Sequence, residues 1–141
     1  MSRMIFVNFP VSDLPRAMKF YEAVGFTNNP QFTDDSAAAM VLTDVIHVML
    51  LTHDRWKTFT NRPIAPSGSS EVMVCISSDG RDEINGMLET VAASGGTADV
   101  NTAQDHGFMF SRSFADLDGH VWEVMWMDPA VVSGEAQPDA S

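Results

Sequence analysis

The sequence is short of cysteine and of positive charge, and each shortage excludes a class of protein. Cys75 is the only cysteine among 141 residues, which excludes an internal disulfide framework and a cysteine-rich zinc site. Eight lysines and arginines stand against nineteen aspartates and glutamates, so the formal net charge is −11. Because phosphate binding depends on basic clusters, neither nucleic acid nor an anionic membrane surface is expected as a partner. A neutral or cationic small molecule is compatible with this charge.

The sequence also lacks a long hydrophobic run. No apolar stretch approaches the roughly 20 residues that a helix needs to cross a bilayer. The expected location is the cytoplasm, because a chain with a single thiol suits a reducing compartment. Hydrophobic residues make up 45% and charged residues 19% of the chain, which is typical of a globular domain with its own core. We therefore expect one domain over residues 1–141.

Residues 4–60 predict a strand-helix-strand-strand-strand module. The apolar strand Met4–Phe9 is expected to stop at Pro10, which cannot donate a ladder hydrogen bond. Apolar residues then recur at three- and four-residue steps, which predicts a helix ending at Gly25. The strands expected after this helix are Gln31–Thr33, Ser36–Thr43 and Val45–Thr52, and helix-like residues follow at 53–60.

Residues 71–127 repeat this order after a linker at 61–70 that is rich in proline and serine. Asp118-Gly119 is typical of a hairpin turn between the last two strands, and residues 128–141 form a polar tail. One such module cannot bury its sheet face alone. The expected fold is therefore α+β, with two βαβββ modules forming curved, mostly antiparallel sheets around a cavity. The strands expected in the second module are Glu71–Ser77, Thr97–Val100, Gly107–Ala115 and His120–Met127.

Two motifs carry a resemblance to a known superfamily. The first is Phe6-Val7-Asn8-Phe9-Pro10-Val11-Ser12-Asp13-Leu14, followed by Phe20-Tyr21-Glu22-Ala23-Val24-Gly25-Phe26. The second is Asp116-Leu117-Asp118-Gly119-His120-Val121-Trp122-Glu123-Val124, which is similar to a "DPDGxxxE" hairpin. Together they resemble the vicinal oxygen chelate superfamily of glyoxalase I, bleomycin-resistance proteins and extradiol dioxygenases. The resemblance spans about residues 4–127 and implies the paired modules, a homodimer and a pocket for a small organic molecule.

Metal-using members of that superfamily hold an ion with two side chains from each module. The resemblance carries these four positions over to Phe6, Leu50, Val72 and Glu123. Only Glu123 has a metal-binding side chain, because zinc, nickel and iron bind nitrogen, sulfur or oxygen, so no cofactor is expected. A shift of one residue turns a strand face over and would add His47 or Glu71 to Glu123. A divalent metal, and with it a metal-dependent lyase or dioxygenase, stays an alternative.

Glu123 is the candidate for catalysis. It lies in an apolar strand, so we expect its carboxylate to be at least partly buried, where it would suit proton transfer next to a carbonyl group. In the alternative interpretation Glu123 has only a structural role, and its carboxylate is paired with Arg112 or another neighbour. Cys75 is expected in the core, and Trp56 on a lid or dimer contact. The residues expected to bind the ligand are Phe6, Asn8, Leu50, Val72, Phe108, Phe110 and Met125.

The leading hypothesis is a glyoxalase- or bleomycin-resistance-like protein that binds a small organic molecule in an apolar pocket. It would work without a catalytic metal. Glu123 would be the base, and Asn8 or a backbone group would stabilise the negative charge that develops on the substrate. An alternative from another class is sequestration of a cationic drug without catalysis, as the resemblance to bleomycin-resistance proteins implies.

Overall fold

Each half of the chain forms a mixed sheet that carries one long helix on one face. The computed structural model describes residues 3–134, which divide into two units. The first unit runs to Ser69 and also contains Leu117–His120, and the second contains Ser70–Asp116 and the chain from Val121 onward. Neither sheet closes into a barrel. The α+β class and the two βαβββ modules predicted from the sequence are confirmed.

The first unit contains a sheet of four strands in the order β1-β4-β3-β2. β1 and β4 are parallel and the other two pairs are antiparallel. A single turn of 3-10 helix follows β2. The elements are β1 (Ile5–Val11), α1 (Leu14–Ala23), β2 (Thr27–Asn29), the 3-10 turn (Pro30–Phe32), β3 (Ala37–Val41), β4 (Ile46–Thr52) and α2 (His53–Trp56).

Helix α1 begins and ends where its sequence predicts. The Asp13 side chain accepts a hydrogen bond from the Arg16 backbone N–H at 3.1 Å, which caps the first turn. Gly25 follows the helix with a φ of +113°, a conformation that favours glycine. The apolar face packs against β3 and β4, with Leu14, Ala17, Phe20 and Tyr21 buried.

Two strand predictions in this unit are wrong. Pro10 does not stop β1, because it pairs with Leu51 and β1 is an edge strand where a missing N–H leaves no partner unsatisfied. Gln31–Thr33 is not a strand. Pro30 instead starts the 3-10 turn, and the Asn29 side chain caps it by accepting from the Gln31 N–H at 3.1 Å.

The second unit contains the order β5-β9-β8-β6, with β7 also paired to β8. β5 and β9 are parallel, and the other pairs are antiparallel. The predicted tail of 128–141 begins with a short helix capped by Asp128, and residues 135–141 lie outside the described part of the chain. The elements are β5 (Val74–Ser77), α3 (Arg81–Ala93), β6 (Thr97–Ala98), β7 (Gln104–Asp105), β8 (Met109–Ala115), β9 (Val121–Met127) and α4 (Pro129–Val132).

The core of the second unit lies between α3 and one face of its sheet. Trp122 and Val124 of β9 are buried on this face, together with Phe114 of β8, whose ring stacks on Trp122 at 6.2 Å. Ile84 and Leu88 are buried on α3, which packs against β8 and β9. Because side chains alternate along a strand, Glu123, which lies between Trp122 and Val124 on β9, points away from α3.

The predicted turn between β8 and β9 is anchored within the first unit. The Ser12 N–H donates to Asp118 Oδ1 at 2.8 Å, and His120 Nε2 donates to the Pro10 carbonyl oxygen at 2.7 Å. The His120 ring also stacks on Phe9 at 4.3 Å. These contacts fix the turn at the end of β1. Among residues 3–134, no helix has the length and apolar character needed to span a bilayer.

Candidate functional site

Glu123 lies on the face of the second sheet that is turned away from α3. It pairs with Cys75 of β5 on one side and with Ser113 of β8 on the other. The residue is half-buried. This face, called here the Glu123 face, therefore carries a carboxylate between a thiol and a hydroxyl. Its residues are Cys75 and Ser77 of β5, Met109, Ser111, Ser113 and Ala115 of β8, and Val121, Glu123, Met125 and Met127 of β9.

Within residues 3–134 the Glu123 carboxylate makes no hydrogen bond or salt bridge. Arg112, the predicted structural partner, pairs with Val124 on the α3 face. Its guanidinium binds both carboxylate oxygens of Asp99, at 3.0 and 2.6 Å, and the side-chain oxygen of Asn85 at 3.0 Å. This contact lowers the pKa of Asp99 and raises that of Arg112. Neutralisation of Glu123 by Arg112 is therefore excluded.

Cys75 is exposed and not in the core, which corrects the sequence prediction. β5 is an edge strand, and Cys75 points away from α3 while its neighbour Ile76 is buried. Partial burial of the thiol among its neighbours raises the pKa of Cys75, and the negative charge of Glu123 raises it further. The thiol therefore keeps its proton at neutral pH.

Two buried serines of β8 lie on the Glu123 face and differ in their hydrogen bonding. Ser113, 3% exposed, accepts from the Asn101 N–H at 2.8 Å and donates to the Asn101 carbonyl oxygen at 3.2 Å. Ser111, 8% exposed, pairs with Met125. Its hydroxyl makes no hydrogen bond with any residue of the described chain. The Ser111 hydroxyl thus has unused hydrogen-bonding capacity and remains accessible, because the fully buried polar side-chain atom without a partner in the described chain is Trp56 Nε1.

Three residues predicted to bind ligand together with Met125 are not on its face, namely Phe110, Val72 and Phe108. Phe110 pairs with Trp126 on the α3 side of the sheet, and Arg81 lies over both rings at 4.9 and 5.4 Å from their centroids. Val72 precedes β5 and is 62% exposed. Phe108 precedes β8, where its carbonyl oxygen accepts from the Asp128 N–H at 2.7 Å. Of the residues predicted in this unit, only Met125 accompanies Glu123.

In the first unit, the structure separates Leu50 from Phe6 and Asn8. Leu50 pairs with Phe9, faces α1 and is fully buried. Phe6 and Asn8 lie on the opposite face, where their β4 partners are His47 and Met49. The Phe6 and His47 rings stack at 4.7 Å, and His47 Nε2 donates to the Asp44 carbonyl oxygen at 3.0 Å. Leu50, the ligand-binding residue predicted on β4, is therefore one residue away from the face that carries Phe6 and Asn8. A shift of one residue along a strand reverses the face.

A metal site at Glu123 would need further donor side chains beside this carboxylate. Residues 3–134 contain no group of three or more His, Cys, Asp or Glu side chains placed to hold one ion. Glu71 is exposed and precedes β5, and the ring of the remaining predicted partner, His47, stacks on Phe6 while its Nε2 donates to the Asp44 carbonyl oxygen. On the Glu123 face, within residues 3–134, Cys75 is the one other side chain of this kind, whereas catalytic zinc sites use three protein ligands. The donor set of the described chain does not fit such a site.

Neither Ser111 nor the pairing of Cys75 with Glu123 was predicted from the sequence. A signal for the serines was present, because Ser111 and Ser113 alternate with Phe110, Arg112 and Phe114 along one strand. Such alternation indicates one polar and one apolar face. It assigns the serines to the face of β8 that is turned away from the helix.

The two βαβββ units define the class as a protein of the vicinal oxygen chelate fold. A sequence model of the glyoxalase/bleomycin resistance protein/dioxygenase superfamily matches residues 3–124. The chain therefore belongs to this superfamily. No relative was found among curated proteins.

Solved structures from several bacteria share the fold. A hypothetical protein of S. aureus, SA1046, is 23% identical, with a TM-score of 0.75 over 89% of this chain and 95% of that one. A family enzyme from Burkholderia phytofirmans PsJN is 13% identical, with a TM-score of 0.73 over 89% and 99% of the two chains. The fosfomycin resistance protein FosX of Listeria monocytogenes is 15% identical, with a TM-score of 0.63 over 89% and 91%. At these identities the likeness concerns the fold alone.

Proposed function

We propose that this protein binds a small organic molecule on the Glu123 face and catalyses proton transfer at the carbon next to a carbonyl group. Glu123 is the base. The observation that carries this proposal is a half-buried carboxylate that neither a cation nor a hydrogen-bond donor of the described chain occupies. Membership of a superfamily that includes glyoxalases supports the reaction class.

The surroundings of Glu123 suit this chemistry. Met125 and Val121 flank it along β9, so an apolar carbon skeleton would contact thioether and aliphatic groups there. No cation of the described chain holds the Glu123 carboxylate, so it is available to accept a proton from a substrate. A positioned base of this kind contributes about 10²–10⁴-fold to rate. The proton taken by Glu123 returns to carbon, so the proposal requires no resident cofactor.

A second function, sequestration of a cationic molecule, is favoured by the same unpaired carboxylate and by the net charge of −11. FosX, a relative by fold, is a fosfomycin resistance protein, but fosfomycin is not proposed as a ligand of this chain. A planar cationic dye such as berberine tests this function. Binding to Glu123 as a cation site would weaken as salt rises from 20 to 500 mM, because salt screens exposed charges, and would be lost in Glu123→Gln.

The proposal includes a homodimer. β1 is an edge strand, and Met4, Ile5 and Phe6 at its beginning are exposed apolar side chains. An edge with free backbone groups and apolar side chains pairs readily with another chain, and we propose a second copy as that chain. Sedimentation velocity tests this. A dimer that becomes monomeric in Ile5→Glu is expected, whereas a wild-type monomer would contradict the proposal.

Hydrogen exchange at carbon tests the catalytic proposal. The protein is incubated in D₂O with hydroxyacetone or 1-phenyl-2-propanone, and loss of the α-proton signal is followed by ¹H NMR. We expect exchange above the buffer rate, and a fall of roughly 10²-fold or more in Glu123→Gln because the base is removed. Glu22→Gln, an exposed glutamate of α1, is the matched control and should keep the wild-type rate. Wild-type exchange at the buffer rate with both ketones would overturn the proposal.

A further inference from the structure

We infer that Ser111 is a second catalytic residue of this site, whose hydroxyl donates a hydrogen bond to the carbonyl oxygen of the substrate while Glu123 takes the α-proton. This inference rests on the proposed function. Ser111 of β8 would then stabilise the negative charge that develops on the carbonyl oxygen. The sequence had suggested Asn8 or a backbone group for this role.

The first argument is the unused hydroxyl of Ser111. The Ser113 hydroxyl, two residues along the same strand and on the same face, is occupied by its two bonds to Asn101. The Ser111 hydroxyl has no partner in the described chain, and it is not fully buried, since Trp56 Nε1 is the buried polar side-chain atom left without a partner within residues 3–134. A ligand can therefore reach this hydroxyl, and a bound acceptor atom would take its hydrogen bond.

The second argument is the placement of Ser111 relative to Glu123. Ser111 pairs with Met125, and Glu123 lies two residues before Met125 on the same face. Diagonal positions of this kind are about 7–8 Å apart between Cα atoms. A carbonyl group and its α-carbon fit between them, with a hydrogen bond of about 2.7 Å to the hydroxyl on one side and the carboxylate on the other. The two side chains would thus contact adjacent groups of one substrate, Ser111 its carbonyl oxygen and Glu123 its α-carbon.

Cys75 is the other donor beside Glu123, and it is the weaker candidate. Its thiol is protonated at neutral pH, but S–H is a poor hydrogen-bond donor. Cys75 is also exposed, so water competes for any acceptor placed next to it. The Ser111 O–H is the stronger donor, and its residue is only 8% exposed, so less water competes for an acceptor placed beside it.

The reaction step balances without a co-reactant. A Glu123 carboxylate oxygen binds the α-proton, and the electron pair of the broken C–H bond forms a carbon–carbon double bond. The π electrons of the carbonyl move onto its oxygen, which the Ser111 O–H stabilises while keeping its own proton. Glu123 then returns a proton, or a deuteron after exchange with D₂O, to carbon.

Ser111→Ala tests the inference in the NMR exchange assay, with Ser77→Ala as the matched control. Ser77 also pairs with Met125 and shares the face, but it is exposed to water. We expect Ser111→Ala to lower kcat for exchange 10²- to 10³-fold, as for loss of an oxyanion donor, with a smaller change in KM. Its Tm should stay close to that of the wild type, because the hydroxyl makes no hydrogen bond with any side chain or backbone group of residues 3–134. Ser77→Ala should match the wild type in both.

The outcomes separate this inference from the proposed function. A wild-type rate in Ser111→Ala, with Glu123→Gln inactive, would overturn the role of Ser111 and leave the base in place. A fall in Tm parallel to the fall in rate would show a structural role and would also overturn it. Absence of exchange by the wild-type protein would overturn both proposals together.

Discussion

Glu123 and Cys75 lie directly opposite each other across the parallel strands β9 and β5, and the carboxylate charge raises the pKa of the thiol. Burial is the larger cause of that raised pKa and Glu123 the second. The pair makes Cys75 a reporter of the charge on Glu123. A thiol with a raised pKa is a slow nucleophile at neutral pH, because the thiolate is the reactive form.

The reactivity of Cys75 should therefore change with Glu123. In Glu123→Gln the pKa of Cys75 should fall, since one of its two causes is removed, while burial keeps it above its ordinary value. We expect alkylation by iodoacetamide at pH 8 to become a few-fold faster, in proportion to the larger thiolate fraction. The pH dependence of the alkylation rate measures this. Glu83→Gln serves as the control, and an unchanged alkylation profile in Glu123→Gln would contradict the pairing.

Arg81 should control the titration of Asp105. The guanidinium donates to both carboxylate oxygens at 2.8 and 2.9 Å. Chiefly through these bonds it lowers the pKa of Asp105 from 3.8 to about 2. A depressed carboxyl pKa contributes stability that is present above the unfolded-state value and is lost as pH falls through the folded-state value. This contribution should therefore disappear between about pH 4 and pH 2.

Substitution of Arg81 tests this directly. In Arg81→Gln the pKa of Asp105, followed by ¹³C NMR of its carboxyl carbon, should rise toward 3.8. The backbone N–H of Gly107, at 3.1 Å, still favours the ionised form and should prevent a complete return. The Tm should also fall, because the guanidinium no longer stacks on Phe110 and Trp126. Arg16→Gln is the control, and a pKa that stays at about 2 would exclude Arg81 as the cause.

Gly119 should not tolerate a side chain. Its φ is +89°, and a Cβ atom there would overlap the carbonyl oxygen of Ser67. We expect Gly119→Ala to lower the free energy of unfolding by about 1–3 kcal/mol, the range for a strained backbone residue. Gly86→Ala is the matched control, because Gly86 lies within α3 with open space around it. There alanine should stabilise the protein by about 0.5–1 kcal/mol. Urea unfolding of both variants measures the difference, and equal effects would contradict the close approach.

Leu50 and Phe6 should differ sharply in their contribution to stability. Leu50 is fully buried under α1, whereas Phe6 is 53% exposed on the opposite face. We expect Leu50→Ala to cost about 2–5 kcal/mol, as for other buried leucines, and Phe6→Ala to cost much less despite its larger side chain. Urea unfolding of the two variants checks this. A larger loss in Phe6→Ala would show that the assignment of faces is reversed.

The local sequence determined much of this protein. Asp13 and Gly25 mark the ends of α1, its three- and four-residue apolar spacing gives the buried face, and Asp118-Gly119 gives the turn between β8 and β9. These features depend on capping, periodicity and turn conformation, which act over a few residues. The two motifs also indicated the superfamily and directed attention to Glu123.

Tertiary structure alone decided which face of each strand meets a helix. β4 has apolar residues on both faces, so its sequence does not show that Leu50 lies under α1 while Met49 points away from it. Only strand pairing shows that Ser111 of β8 lies beside Met125, and only the structure shows that Arg81 of α3 covers Phe110. Pro10 continued β1 because that strand is an edge, which its own sequence does not reveal. In each case strand register and the position of a distant helix set the environment, and neither is encoded within the strand itself.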